Sequence, residues 1–170
     1  VMYDLSGDMH ETIWDMEILE DSITISCGTL NVGDLGTTDG FLLKLSEDGS
    51  RFDGWGNNGL VTFDLGEDTY AYKIEILPDN TMLVCGTVFV TASNSEFFVA
   101  KFNPDGSPAI DFGTNGSFIS SNSSGNDEGY CMAVQDDGKI VLAGTTGYAA
   151  GAQMMFIRIN TDGTLDDAFG

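Results

Sequence analysis

A three-residue motif recurs in this chain of 170 residues at a constant step of 58 residues. Its copies are Cys27-Gly28-Thr29, Cys85-Gly86-Thr87 and Ala143-Gly144-Thr145. Two further motifs recur at a step of 57, namely Asp48-Gly49, Asp105-Gly106 and Asp162-Gly163, and Trp55-Gly56, Phe112-Gly113 and Phe169-Gly170. Such a period is typical of repeat proteins, in which each unit buries its apolar face only against its neighbours. The chain is therefore predicted to consist of tandem units.

Each unit has the pattern of four short strands. In the middle copy, Tyr70, Tyr72, Ile74 and Ile76 alternate with smaller or polar residues, which is the period of a half-buried strand. Turn residues then separate this segment from the next ones. The strands are predicted at residues 13–19, 23–29, 41–45 and 60–65, at 70–77, 82–89, 97–102 and 118–120, and at 130–135, 139–145 and 155–159.

The predicted fold class is all-β. No window has the spacing of an amphipathic helix, and 22 glycines interrupt every candidate. Three tandem four-stranded antiparallel units of about 57 residues favour blades forming an arc of a larger β-propeller, with a β-solenoid as the alternative. The units are 1–5 (last strand of a preceding blade), 6–65 (repeat 1), 66–121 (repeat 2) and 122–170 (repeat 3, without its last strand). Because three blades do not close a propeller, we expect a longer chain.

The superposed copies resemble a known repeat. The resemblance rests on residues 97–107 with Asp111-Phe112-Gly113 and Asn115-Gly116, on residues 157–170, and on the hairpin segment 136–144. These segments are similar to the bacterial delta-60 repeat. The first copy departs from the pattern, with Glu20-Asp21-Ser22 in place of a glycine turn and Trp55 in place of phenylalanine. The resemblance implies a propeller-like module of large secreted or cell-surface bacterial proteins, some of them exported by a type IX system, and it carries no catalytic residues.

The charge of the chain excludes several partners. Asp and Glu number 27 against 6 Lys and Arg, a formal net charge of −21. A nucleic-acid or anionic-lipid surface requires a basic face, so neither is expected as a partner. No stretch reaches the roughly 20 apolar residues that span a bilayer, so no membrane insertion is expected. Such a charge also attracts divalent cations without specificity.

The cysteines and the single histidine do not indicate a catalytic or zinc site. Cys27 and Cys85 occupy equivalent positions on adjacent units, too far apart for a disulfide, and are predicted to be small buried hydrophobic residues. Cys131 has no counterpart and is predicted to point outward. His10 is predicted to lie on the surface, and no cluster has zinc spacing. Nor does any segment match a phosphate-binding loop.

Calcium remains an open alternative. Acidic residues precede the first strand of each unit, at Asp4 and Asp8, at Asp64, Glu67 and Asp68, and at Asp127 and Glu128. Oxygen ligands in glycine-containing loops suit Ca²⁺. No loop matches an EF-hand, however, and the acids shift register between copies. Solvated surface charge is the favoured interpretation, and no catalytic, cofactor-binding or metal residue is assigned.

The other recurring residues favour structural roles. The Asp-Gly pairs suit tight turns and do not have the spacing of the Asp-box of sialidase-type propellers. The aromatic residues of the aromatic-Gly pairs are predicted to fill the contact between successive blades. A sugar-stacking role for Trp55 is the alternative.

The predicted function is a non-catalytic extracellular or cell-surface scaffold or adhesion module. Its partners are further repeats, other surface proteins or glycans, bound through the variable loops at residues 30–40, 89–96 and 147–153. The alternatives are part of a secreted glycan-active enzyme and a lectin.

Overall fold

The structure, a computed structural model, describes residues 1–5, 7, 10–19, 23–32, 36–120, 126–147 and 151–170. This part of the chain is built from β-strands without a helix, which confirms the all-β prediction. The strands are β1 (Glu11–Ile18), β2 (Thr24–Val32), β3 (Thr37–Leu45), β4 (Leu60–Phe63), β5 (Asp68–Ile76), β6 (Met82–Thr91), β7 (Asn94–Phe102), β8 (Ser117–Ile119), β9 (Asp127–Val134), β10 (Ile140–Thr146) and β11 (Gln153–Ile159).

The strands pair antiparallel within three successive groups. The first group has the order β1-β2-β3-β4, the second β5-β6-β7-β8, and the third β9-β10-β11. The groups are not three separate sheets, because a single parallel pair, Thr38 with Asp68, joins β3 to β5. The first eight strands therefore form one sheet, from which β4 branches, and the third group forms a second, three-stranded sheet.

The groups pack against one another through opposite faces of their strands. Along β6, Met82 and Val84 lie in a core shared with Ile25 of the first group. Leu83 and Cys85, which alternate with them, lie in a core shared with residues of the third group. Successive strand residues point to opposite faces, so the second group is buried on both sides. This explains why residues 82–85 of β6 form a continuous apolar run.

Two of the three recurring aromatic residues fill the contacts between groups, as predicted. Trp55 is 4% exposed, packs in the core between the first and second groups, and donates its Nε1–H to the carbonyl of Pro104 at 2.9 Å. Phe112 lies in the core shared by the second and third groups. Phe169 departs from the prediction: it is 36% exposed and lies under the Arg158 guanidinium, 4.6 Å from its ring centroid.

The Asp-Gly pairs form the predicted turns. Gly106 has a φ of 87°, which suits glycine. The Asp105 carboxylate accepts the hydroxyl of Ser107 at 2.6 Å and its backbone N–H at 2.9 Å. These two bonds, the hydroxyl first, lower the pKa of Asp105. The same bonds recur from Ser50 to Asp48 and from Thr164 to Asp162.

The opening segment corrects one prediction. Val1–Leu5 does not form a strand. The Tyr3 side chain nevertheless has the position that Phe63 has in the next repeat. Tyr3 packs in a cluster with Phe41, and Phe63 lies 6.2 Å from Phe98, the residue equivalent to Phe41. The predicted turn at residues 20–22 lies outside the described residues.

The recurring Gly of the Cys-Gly-Thr motif is required by a close backbone approach. A Cβ on Gly86 would overlap the carbonyl oxygen of Tyr70 in the paired strand. Gly28 and Gly144 have the same relation to the carbonyls of Thr12 and Glu128. At each of these places the first strand of the group contains a β-bulge, which brings its backbone close to the second strand.

We expect Gly86→Ala to destabilise the fold strongly, because the new methyl group has no space against a backbone carbonyl. The expected loss in the free energy of unfolding is about 3 kcal/mol, measured by urea denaturation. Cys85→Ala is the control, since it changes the adjacent buried residue to the one found at Ala143 and should cost about 1 kcal/mol. Equal losses in the two variants would contradict this explanation.

Candidate functional site

Each of the three β-bulges extrudes one aromatic side chain. The ladder between the first two strands of each group skips a single residue, which is Trp14 in β1, Tyr72 in β5 and Tyr130 in β9. A bulge re-aims the side chain of its extra residue. These residues follow one another at the same step of 58 as the Cys-Gly-Thr motif.

The extruded rings form a continuous row across the three groups, here named the aromatic ladder (Trp14, Tyr72 and Tyr130). The ring centroids of Trp14 and Tyr72 are 5.2 Å apart, with an interplanar angle of 89°, and those of Tyr72 and Tyr130 are 6.2 Å apart at 39°. The outer two rungs are half-exposed, Trp14 at 52% and Tyr130 at 47%. The ladder thus crosses from one group to the next and presents aromatic surface to solvent.

Further aromatic rings support the central rung. Tyr70 stacks on Tyr72, with centroids 6.3 Å apart and an interplanar angle of 23°. Phe89 packs edge-on against Tyr70 at 6.0 Å. Aromatic pairs in such geometries contribute about 0.5–1.5 kcal/mol beyond the area they bury. The ladder is therefore held in place by its neighbours.

The threonines of the Cys-Gly-Thr motif lie beside the ladder. Trp14 donates its Nε1–H to the Thr29 hydroxyl at 3.4 Å. The Thr87 hydroxyl accepts the backbone N–H of Gly129 at 3.1 Å, so this side chain also ties the second group to the third. The motif therefore combines two roles. Its glycine leaves space for the backbone of the bulge, and its threonine hydroxyl accepts a hydrogen bond beside the extruded ring.

The ladder is flanked by carboxylates. The Tyr130 hydroxyl donates a hydrogen bond to the Glu128 carboxylate. Asp15, which follows Trp14 in β1, accepts hydrogen bonds from the Lys73 ammonium at 2.9 Å and from the backbone N–H of Ile74 at 3.0 Å. This ion pair joins the first group to the second. Half-exposed rings and adjacent oxygen acceptors give the surface both apolar and hydrogen-bonding character.

Tyr72 is held in its neutral form. Burial, followed by the negative charge of Glu128 and the neighbouring Tyr70 and Tyr130 rings, raises the pKa of Tyr72 to about 12. Its hydroxyl also interacts with Thr87. The central rung is consequently a neutral, hydrogen-bonding phenol at any physiological pH.

The cysteines and the histidine have the burial that the sequence predicted. Cys27 and Cys85 are fully buried free thiols, and Cys131 is exposed and free. Burial raises the pKa of Cys27 to about 12 and raises the pKa of Cys85 above its usual range. These two thiols are therefore unreactive packing residues. His10 is exposed.

The acidic loops do not assemble into a carboxylate-rich metal centre. Within the described ranges, no group of three or more His, Cys, Asp or Glu side chains could hold a metal ion. Asp64 accepts the backbone N–H of Gly66 at 2.9 Å, and Asp68 accepts that of Thr38 at 2.7 Å, so both stabilise loops. Asp8 lies outside the described residues. Asp127 is fully buried, unlike the other described acids of this set.

The variable loops differ in how far the strands enter them. Residues 89–96 are not an irregular loop: β6 continues to Thr91 and β7 begins at Asn94, which leaves a tight hairpin connection. Parts of the other two segments, residues 33–35 and 148–150, lie outside the described residues. No helix in the described part of the chain is long and apolar enough to cross a membrane.

Sequence reasoning missed the aromatic ladder. The signal was present, because Trp14, Tyr72 and Tyr130 recur at the same step as the Cys-Gly-Thr motif. Period-two alternation instead assigned Tyr70 and Tyr72 to the regular face of one strand. A β-bulge breaks this alternation by one residue, so the pattern could not show where the side chains point.

Comparison with known families supports a repeat of the propeller type. Two segments, residues 77–108 and 135–169, match a family described as a domain of unknown function (DUF5122) beta-propeller. They cover equivalent parts of the second and third groups, from the turn before the second strand through the third strand. No curated protein matches the chain.

We expect the titration of Tyr72 to reveal its position in the ladder. The difference in tyrosinate absorbance between the native protein and Tyr72→Phe should develop near pH 12, because burial opposes ionisation. In urea, the same difference should return to the ordinary value of about 10. A native difference that already develops near pH 10 would show that Tyr72 is solvated.

The family match thus agrees with the all-β architecture and with the recurring motifs. It supports a β-propeller-type repeat over the second and third strand groups.

Proposed function

We propose that the chain is a non-catalytic β-propeller-type scaffold that binds an extended ligand along its aromatic ladder. In this proposal the three strand groups are successive blades of a propeller arc. Their face-to-face packing and the family match support that arrangement. The extracellular or cell-surface location implied by the delta-60 resemblance stays a prediction.

The observation that carries the proposal is the recurrence of one extruded ring in each group, with the two outer rings half-exposed. Trp14, Tyr72 and Tyr130 are spaced by 5.2 and 6.2 Å and are backed by further aromatic packing. Exposed aromatic side chains in a row are typical of binding surfaces, since each buries a large area and loses little conformational entropy. One rung per repeat suits a ligand that is itself a chain of similar units.

A neutral glycan is the ligand class that fits the ladder best. The apolar faces of sugar rings stack on aromatic rings, and sugar hydroxyls donate to carboxylates such as that of Glu128. The net charge of −21 disfavours anionic polymers. The buried hydroxyls of Thr29 and Thr87 recur beside the rungs, where the Thr29 hydroxyl accepts a hydrogen bond from Trp14.

The proposal can be tested by binding measurements on substituted proteins. A glycan array and a panel of neutral polysaccharides identify a ligand, whose affinity is then measured by titration calorimetry. We expect Trp14→Ala and Tyr130→Ala each to weaken binding about tenfold or more, a loss of at least about 1.4 kcal/mol.

The matched control is Phe156→Ala. Phe156 is 58% exposed on β11 and lies outside the ladder, so its removal deletes a comparable aromatic surface elsewhere. Its affinity should equal that of the unsubstituted protein. Binding that survives both ladder substitutions would overturn the proposal, and a protein ligand recognised through the same rungs would replace the glycan.

A further inference from the structure

A second feature lies where β9 of the third group packs on β7 of the second. This contact is here called the second joint, and the equivalent contact of β5 with β3, between the second and first groups, is called the first joint. Gly129 lies against the ring of Phe97, so these two residues mark facing positions. The carboxamide of Asn126 accepts the backbone N–H of Ser95 at 3.3 Å. The corresponding bond at the first joint, from Thr38 to Asp68, accompanies a parallel strand pair.

Ser95 and Asp127 lie close together at this joint, because Asp127 directly follows Asn126, which accepts the backbone N–H of Ser95. Both side chains are 0% exposed. Neither the Ser95 hydroxyl nor either oxygen of the Asp127 carboxylate has a hydrogen-bond partner among the described residues.

An unpaired carboxylate in such a place is costly. Transfer of an ionised carboxylate out of water costs several kcal/mol even after relaxation of the protein. Buried polar groups are therefore almost always paired, and each exception calls for an explanation, such as a bound water or ion. Here two orphaned oxygen-bearing groups share one site.

The first joint shows what the same site looks like without charge. The equivalent residues there are Thr38 and Thr69, both of them neutral. The Thr38 hydroxyl bonds to Asn31 at 3.3 Å, and the Thr69 hydroxyl accepts the backbone N–H of Leu65 at 3.0 Å. One backbone N–H satisfies a hydroxyl, but it does not neutralise a carboxylate. The charge at the second joint therefore requires a different partner.

A second carboxylate lies near this site. Glu96 is 4% exposed and accepts hydrogen bonds from Ser120 at 2.9 Å and from Asn94 at 3.2 Å. Burial raises the pKa of Glu96, and the negative charge of Asp127 adds to the increase. Two acidic groups thus lie in one poorly solvated region, whereas no described cation pairs with either.

We propose that this joint binds one calcium ion through the Asp127 carboxylate and the Ser95 hydroxyl, with Glu96 supplying the second negative charge. Carboxylate and hydroxyl oxygens are hard ligands, which Ca²⁺ prefers. Water molecules complete its coordination shell, because Ca²⁺ takes six to eight oxygen ligands. The ion would fasten the third strand group to the second.

The test uses calcium chloride and the whole chain, by titration calorimetry and by thermal unfolding. With two carboxylates, affinity in the range of about 10⁻⁴–10⁻³ M is expected, at one ion per chain. Calcium at ten times the dissociation constant should raise Tm by about 3 °C. Asp127→Asn should abolish both effects, and Glu96→Gln should weaken binding at least tenfold.

The control is Asp111→Asn, which removes the same charge from an exposed position and should leave calcium binding unchanged. Calcium should also reverse the order of the two unfolding temperatures. With chelator present, Asp127→Asn should unfold at a higher temperature than the unsubstituted protein, since it lacks the buried charge. With calcium present, the order should reverse.

Two results would overturn the proposal. One is the absence of a stoichiometric calcium signal in the folded protein, which would leave the carboxylate to a proton or to water. The other is equal loss of binding in Asp111→Asn and Asp127→Asn, which would indicate diffuse attraction by the net charge. Ligand binding on the ladder is measured separately and depends on neither outcome.

Discussion

The structure depends on the close approach of two backbones at the bulge of each strand group. Gly28, Gly86 and Gly144 lie against carbonyl oxygens of the preceding strand, where a Cβ has no space. This approach fixes the register between the first two strands. It also fixes the side from which the extra residue of the bulge emerges. The recurring glycine, the bulge and the extruded ring are therefore one structural device repeated three times.

The same device connects packing to function. Because the extra residue leaves the regular alternation, the remaining side chains of each strand stay on the two faces that pack between groups, as Ile74 does beside Val84. The extruded ring is free to meet its counterpart in the next group. Each joint thus combines an apolar contact inside with an aromatic contact on the surface, and neither requires a catalytic group.

Much of the fold could be predicted from repetition, because recurrence within one chain reports which residues are equivalent. The strands, the Asp-Gly turns and the buried positions of Cys27 and Trp55 followed from it. The ladder and the buried Asp127 did not, for two reasons. A bulge shifts the direction of a single side chain, and a buried acid has the same sequence signature as a solvated one. The direction of the shifted side chain and the burial of the acid become visible only in the folded structure.

The most direct measurement is a nuclear Overhauser spectrum of the aromatic side chains, with the tyrosines assigned by substitution. The account predicts cross peaks from the Tyr72 ring to both Trp14 and Tyr130, which lie 58 residues away in each direction. Such contacts arise only if three bulges are aligned across three packed strand groups. Cross peaks from Tyr72 to Tyr70 alone, without either long-range contact, would contradict the account.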